Sequence, residues 1–204
     1  TIHAQKKEII DDEAPNGIVI VTIDKAGDEI IRIMNESQLP YIHDPKAPRF
    51  LLMDKQGKFA LGIGGYVRAT GEYDFGGIVD DIDFVPANIP SSSKIKNQFQ
   101  MDASTATIFL KLVGHTRLLG DFTVYTAGNF RGGDKTFQLR NAYMSFRNIT
   151  VGYTYGGFMD LGALPSTIDF QGPNGATFYR ATQLSYTYKA VSYTHLTLPT
   201  NREV

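Results

Sequence analysis

Cysteine is absent from this chain of 204 residues, and so is tryptophan. The lack of cysteine excludes both a disulfide framework and thiol chemistry. Long apolar runs are missing too, since no stretch approaches the roughly 18 apolar residues of a transmembrane helix. Charge is balanced, with 20 Lys and Arg against 21 Asp and Glu. The composition therefore gives no sign of a nucleic-acid-binding surface.

Glycine and aromatic residues, by contrast, are plentiful: there are 20 Gly, 13 Phe and 11 Tyr. This composition is typical of β-rich chains with many turns. Over residues 58–73 apolar and polar positions alternate, with Leu61 and Ile63 on one face and Tyr66 and Arg68 on the other. A strand of this kind belongs either to a soluble sandwich or to a membrane barrel.

The same alternation predicts about six strands. They lie at residues 58–73, 102–114, 118–127, 136–146, 149–156 and 176–189. Most are longer than the five or six residues of an ordinary strand, and lengths of about 9–11 residues suit tilted barrel strands. The predicted fold class is all-β.

The connections between these strands alternate in length. Residues 74–101, 128–135 and 157–175 form long connections, whereas residues 115–117 and 147–148 form short ones. An antiparallel up-and-down transmembrane β-barrel of the outer-membrane type has short turns on one side and long loops on the other. Six strands cannot close such a barrel, so we expect about 16 strands in the whole protein, as in porins.

Both ends of the chain look foreign to a mature protein. Residues 1–4 resemble the tail of a secretory signal. Residues 191–204 begin with VSYTHLTLPT, which resembles the translation of a sequencing-library adapter; an ordinary polar tail is the alternative. We expect a non-native tail there, and a natural protein that continues past Ala190.

Four motifs, in order along residues 58–190, resemble the DcaP-like outer-membrane porins of Gram-negative bacteria. Residues 63–75 resemble the first barrel strand of that family, residues 138–143 and 151–160 its fourth and fifth strands, residues 164–173 its inward-folded third loop, and residues 183–188 the following strand. The resemblance implies a homotrimeric, water-filled channel in the cell outer membrane. Such a channel contacts lipid and lipopolysaccharide and passes small polar, often anionic, solutes by passive diffusion.

Residues 5–57 differ from the rest of the chain. Residues 17–24 have the pattern of a strand, residues 28–37 have a helical spacing of apolar side chains, and proline punctuates residues 39–48. Sustained heptads, expected for the periplasmic coiled coil of the family, are not seen. We assign residues 5–57 to a periplasmic N-terminal segment and residues 58–190 to the first part of the barrel.

The working parts of a diffusion channel are its constriction and the charges on its wall. By strand parity and spacing, the predicted pore-lining residues are Tyr66, Arg68, Thr107, Lys111 and Arg140. A structural ion pair is an equally good interpretation of any single arginine. Opposed basic wall charges and acidic loop charges would create a transverse field across the pore.

The constriction is predicted within residues 157–175, because this segment has more apolar side chains than a solvated loop tolerates. The candidate residues are Phe158, Asp160, Asp169 and Phe170. A loop packed on a neighbouring subunit is the alternative interpretation.

Aromatic side chains near strand ends predict girdles at the membrane interfaces. They are Phe59, Tyr73, Phe122, Tyr143, Tyr153, Tyr186 and Tyr188. The acidic residues 80–83 lack the pattern of a calcium loop and are interpreted as a plain acidic loop. The four histidines have no ligand-like spacing, so no metal site is predicted. No cofactor is expected either.

Two further function classes stay open at this point. One is a soluble or surface β-sandwich or lipocalin-like barrel that binds a ligand. The other is an outer-membrane barrel enzyme, which ranks last because no nucleophile–base pairing is recognisable. The sequence therefore favours a porin that is not an enzyme.

Overall fold

The computed structural model describes residues 18–22, 27–35, 50–76, 81–84, 89, 97–156 and 179–188. Its strands are β1 (Ile18–Thr22), β2 (Phe50–Asp54), β3 (Phe59–Tyr66), β4 (Thr70–Asp74), β5 (Gln98–Asp102), β6 (Thr107–Thr116), β7 (Gly120–Asn129), β8 (Gln138–Phe146), β9 (Ile149–Tyr155) and β10 (Arg180–Tyr186). A helix, α1, spans Asp28–Asn35, and a short 3-10 turn spans Gly133–Lys135.

Eight of the strands form one antiparallel sheet in the order β1-β2-β3-β6-β7-β8-β9-β10. Strands β4 and β5 pair with each other in a separate two-stranded sheet. Neighbours in the large sheet follow chain order apart from this excursion, so the sheet is a meander. The all-β, antiparallel prediction is confirmed, and β1 and β10 are the edges of the described sheet.

The strand predicted over residues 58–73 is two strands in the structure. Residues 67–69 interrupt it, and β4 leaves the large sheet to pair with β5. The next predicted strand, 102–114, begins only at Thr107, because Asp102 accepts hydrogen bonds from the Ser104 amide at 2.8 Å and hydroxyl at 2.6 Å. These local bonds hold a polar turn where we predicted the start of the strand.

The N-terminal segment contributes strands to the same sheet. β1 pairs with β2 over its whole length, and β2 pairs with β3, with Leu51 opposite Gly62. The boundary assigned at residues 57 and 58 therefore falls in the turn between two paired strands. We did not predict β2, because its sequence FLLMD is apolar on both faces and shows no alternation.

The short connections lie together at one end of the sheet, which we call the tight-turn end. They are residues 55–58, 117–119 and 147–148. The prediction of a two-residue connection at 147–148 is confirmed, whereas the one at 115–117 lies two residues further along. Gly57 has φ of 68°, a conformation that glycine adopts without steric cost. The β4–β5 hairpin and the connection between β7 and β8, residues 130–137, lie at the opposite end, the loop end.

Helix α1 lies on one face of the large sheet, against β6 and β7. Asp28 and Glu29 in its first turn and Arg32 in its last turn complement the helix dipole. Its apolar residues Ile30, Ile33 and Met34 follow the i, i+3, i+4 spacing of a single stripe and are buried. No helix in the described part of the chain is long and apolar enough to cross a membrane.

Candidate functional site

The register of the paired strands divides the large sheet into two faces of opposite character. The polar face comprises Tyr66, Thr107, Lys111, Thr123, Tyr125, Asn141, Tyr143, Ser145, Thr150, Thr154 and Gln183. The apolar face comprises Leu61, Ile63, Ile108, Leu110, Leu112, Val124, Met144, Val151 and Leu184. Residues that lie directly opposite each other on neighbouring strands share a face of the sheet. The face of one residue therefore fixes the face of its partner on the next strand.

Burial runs opposite to that of a soluble sheet. On the polar face Lys111 and Thr154 are 0% exposed, whereas on the apolar face Ile63 is 54% and Leu184 is 76% exposed. A soluble antiparallel sheet buries its apolar face and leaves its polar face in water. Apolar side chains therefore lie on the exposed face of the sheet and polar ones on the buried face, an order that is also found in the walls of transmembrane barrels.

Three buried polar atoms on the polar face have no hydrogen-bond partner among the described residues. Ser145 and Thr150 share a hydrogen bond of 2.8 Å across β8 and β9. Thr123 Oγ1, Asn141 Oδ1 and Thr154 Oγ1 are buried without a hydrogen-bond partner in the described part of the chain. Buried polar groups in proteins are nearly always satisfied by protein or by water. The polar face therefore keeps hydrogen-bonding capacity that is unused within the described residues.

Lys111 lies on the polar face, opposite Gly62 on β3 and Tyr125 on β7. Its Nζ donates a hydrogen bond of 2.7 Å to the carbonyl oxygen of Met34 in the last turn of α1. The last four carbonyls of a helix lack intrahelical partners, and the helix dipole places partial negative charge there. This contact supports the buried ammonium group, which would be strongly disfavoured without a partner.

The other predicted pore-lining residues occupy three different places. Tyr66 ends β3 opposite Thr107, and both belong to the polar face. Arg68 lies between β3 and β4, outside the large sheet, and is exposed. Arg140 has no partner on β7, because the pairing passes from Asn141 directly to Leu139 across an irregularity. The predicted constriction residues Phe158, Asp160, Asp169 and Phe170 lie outside the described residues.

A row of aromatic rings crosses the apolar face near the tight-turn end. The register aligns Phe59, Gly114, Phe122, Phe146, Ile149 and Tyr186 across six strands. The Phe59 and Phe122 ring centroids are 6.0 Å apart. A Cβ on Gly114 would lie 2.7 Å from the Phe59 ring, so glycine permits this contact across β6. The row has the position of an interfacial aromatic girdle.

The girdle prediction is wrong for Tyr143. This residue lies opposite Tyr125, their ring centroids are 5.5 Å apart, and Tyr143 is 3% exposed. Together with Phe109 and Ala127 the two tyrosines form a buried cluster on the polar face. The register, which fixes the face, depends on the pairing of β8 with β7. Tyr73 also lies away from the row, in the β4–β5 hairpin.

A group of mostly charged residues lies at the loop end of the sheet. We call this group the loop-end cluster. It comprises Asp81, Asp83, Asp102, Ser104, Arg131 and Lys135, most of which line a cavity of about 450 Å³. The Arg131 guanidinium is 2.8 Å from the Asp81 carboxylate and 3.7 Å from that of Asp83. Two of the acidic residues predicted as a plain loop are therefore ion-paired with an arginine 48 to 50 residues away.

Asp102 has the most densely bonded carboxylate of this cluster. Burial raises its pKa, but the Ser104 hydrogen bonds, aided by the charges of Lys135 and Arg131, outweigh this effect. The pKa of Asp102 is therefore lowered from its ordinary value of 3.8.

A third group of charges joins α1 to the tight-turn end of β6 and β7. His115 Nδ1 is 2.7 Å from Asp121 and 3.8 Å from Glu29, and Arg32 is 2.6 Å from the other oxygen of Asp121. Potential ligand atoms of Glu29, His115 and Asp121 lie within 4.8 Å of one another. Sequence spacing did not indicate this group, because Glu29 is 86 residues from His115. The adjacent Arg32 guanidinium supplies the positive charge that the carboxylates require.

The fold is also found in a solved protein. No family model and no curated protein matches the chain. Among solved structures, the outer membrane channel DcaP of Acinetobacter baumannii matches with a TM-score of 0.56 and 22% identity. The match covers 67% of this chain and 39% of the channel, so this chain spans well under two thirds of that protein's length. The chain therefore shares the porin-like fold of an outer-membrane channel.

Proposed function

We propose that this chain is the N-terminal part of a homotrimeric outer-membrane porin of the DcaP-like kind, a passive diffusion channel for small polar, often anionic, solutes. The observation that carries the proposal is the inverted burial of the large sheet. Exposed apolar side chains need an apolar environment, and a lipid bilayer supplies one. The buried polar face then lines a water-filled lumen.

Two further observations support a barrel wall. The three tight turns share one end of the sheet, and the β4–β5 hairpin and residues 130–137 lie at the other, as in outer-membrane barrels. The aromatic row lies just inside the tight-turn end, where a membrane interface would be. We propose that about 16 strands complete the barrel, that β10 pairs with the next of them, and that residues 157–175 form the constriction.

The wall charges suggest how solutes would be sorted. Tyr66 and Thr107 contribute to the lumen surface, and Arg68 lies beyond them towards the loop end, whereas Lys111 is fully buried and bonded to α1. We propose that Arg68 and Arg140 contribute positive potential on the path of the solute, which favours anions. This selectivity, like the partnership with lipopolysaccharide, is a proposal for the whole protein.

Partitioning and conductance test the function. The full-length protein is expected to require detergent for solubility and to form ion-conducting channels in planar bilayers. A compact monomer that stays soluble without detergent would contradict the proposal and favour a lipocalin-like ligand-binding protein.

Charge reversal tests the selectivity separately. Arg68→Glu and Arg140→Glu are expected to lower the anion/cation permeability ratio. Lys58→Glu is the matched control, because Lys58 is an exposed residue of a tight turn. If the two arginine variants leave the ratio unchanged, these residues do not face the solute path.

A further inference from the structure

An apolar patch interrupts the polar face beneath α1. The buried helix residues Ile30, Ile33 and Met34 form one cluster with the sheet residues Leu51, Ala60 and Val113. Met53 and Ile31 pack against the edge of this cluster. The same face carries a second buried cluster, made of Phe109, Tyr125, Ala127 and Tyr143, and threonine, serine and asparagine elsewhere. The first cluster is the one that α1 covers, and it buries the apolar stripe of the helix.

Polar contacts hold the helix at both of its ends. At the C-terminal end, the buried Nζ of Lys111 donates to the Met34 carbonyl at 2.7 Å. In the first turn Glu29 lies 3.8 Å from His115, and in the last turn Arg32 pairs with Asp121 on the same β6–β7 hairpin. The wall residues of both contacts come from the same two strands, so α1 is fastened to one hairpin of the wall.

From this arrangement we infer that α1 is a resident plug that narrows the channel at its tight-turn end, fastened by Lys111 and by the Arg32–Asp121 pair. The inference rests on the proposed function, because a helix on the polar face obstructs flow only if that face lines a lumen. A helix with its side chains is about 10–12 Å across, a size comparable with the lumen of a diffusion channel.

Release of the plug is tested by conductance of the full-length protein in planar bilayers. Ile33→Asp places a carboxylate in the apolar patch and should free α1, raising single-channel conductance about twofold or more, since an object about 10 Å wide leaves the lumen. Asn35→Asp is the matched control, because it adds the same charge to an exposed position of α1. Lys111→Met, which removes the C-terminal fastening, should change conductance in the same direction as Ile33→Asp.

A chemical lock gives an independent measurement. The chain contains no cysteine, so Arg32→Cys with Asp121→Cys introduces the only two thiols. Joining them with a short bifunctional thiosulfonate in the Ile33→Asp background should return conductance to the wild-type level, and reduction should restore the increase. The two single-cysteine proteins control for labelling alone.

The outcomes separate the two proposals. Equal conductance in wild type, Ile33→Asp and Lys111→Met, together with no effect of the lock, would overturn the plug and leave the channel standing. If no variant and no wild-type protein conducts, the proposed function itself fails. An increase in Asn35→Asp as large as that in Ile33→Asp would also overturn the plug, since added charge alone would then explain it.

Discussion

The polar and apolar faces of the large sheet are made by the same strands and yet meet opposite surroundings. Leu110 is 43% exposed on one face, and its sequence neighbour Lys111 is 0% exposed on the other. In a soluble protein the two values would be expected the other way round. Composition alone therefore does not decide which face of a strand is buried: water favours polar side chains outside, and a bilayer favours apolar ones outside.

The largest effect is expected when the same charge is placed on each face of the large sheet, which tests whether the two faces meet different surroundings. Leu110→Arg on the apolar face should lower the free energy of unfolding in lipid vesicles by about 2–4 kcal/mol, since a charge near the bilayer midplane loses its hydration. Tyr66→Arg on the polar face should have a much smaller effect. Urea unfolding of the full-length protein in phosphatidylcholine vesicles measures both. Equal effects of the two substitutions would show that the apolar face does not meet lipid.

A smaller change in the free energy of unfolding is expected when a side-chain carbon is added at Gly152, a glycine of the polar face. Gly152 has φ of 131°, and a Cβ there would lie 2.3 Å from the Ala142 carbonyl oxygen and 2.6 Å from the Tyr143 Cα. Because these atoms are backbone, Gly152→Ala should lower the free energy of unfolding by about 1–3 kcal/mol. Gly133→Ala, where no atom lies within 4 Å, should change it by less than about 0.5 kcal/mol. Equal unfolding midpoints for the two variants would contradict this packing.

The smallest effect is expected outside the sheet, in the loop-end cluster. Folding lowers the pKa of Asp102, so protonation of this residue favours the unfolded chain. Its contribution to stability is complete above the ordinary pKa of 3.8 and is lost as pH falls through the lower folded value. Unfolding measured between neutral pH and strongly acid pH should therefore show a shallower pH dependence in Asp102→Asn.

Asp83→Asn provides the control for that measurement. It removes a carboxylate from the same cluster, but one that is 52% exposed and 3.7 Å from Arg131. Its pH dependence should stay close to that of wild type. If Asp83→Asn flattens the profile as much as Asp102→Asn does, the hydrogen bonds of Ser104 are not the cause.

Sequence reasoning predicted the parts of the fold that depend on neighbouring residues in the chain. β6 to β10 were found from alternation, and the turn at residues 147–148 from its length. The spacing of Ile30 and Met34 fits α1, but it did not by itself assign a fold to residues 5–57. We did not predict β2, because both of its faces are apolar and it shows no alternation. One of these faces packs against α1, so its apolar character depends on a contact with another segment of the chain.

The candidate site shows the same limit. Parity placed Lys111 on the polar face with Tyr66 and Thr107, since side-chain direction alternates along any strand. Parity could not indicate that Lys111 would bond to Met34, 77 residues away. Parity gives no assignment for Arg140, because an irregular pairing interrupts the alternation there.

Three properties can be read from the sequence: apolar and polar positions alternate along the strands, short and long connections alternate between them, and the chain has neither thiols nor a long apolar run. These properties depend on neighbouring residues and can be read locally. Tertiary structure alone decided which face is buried, that Tyr143 joins Tyr125 rather than the aromatic row, and that α1 lies against the wall. Each of these depends on strand register and on contacts between distant segments, for which a single sequence carries no local signal.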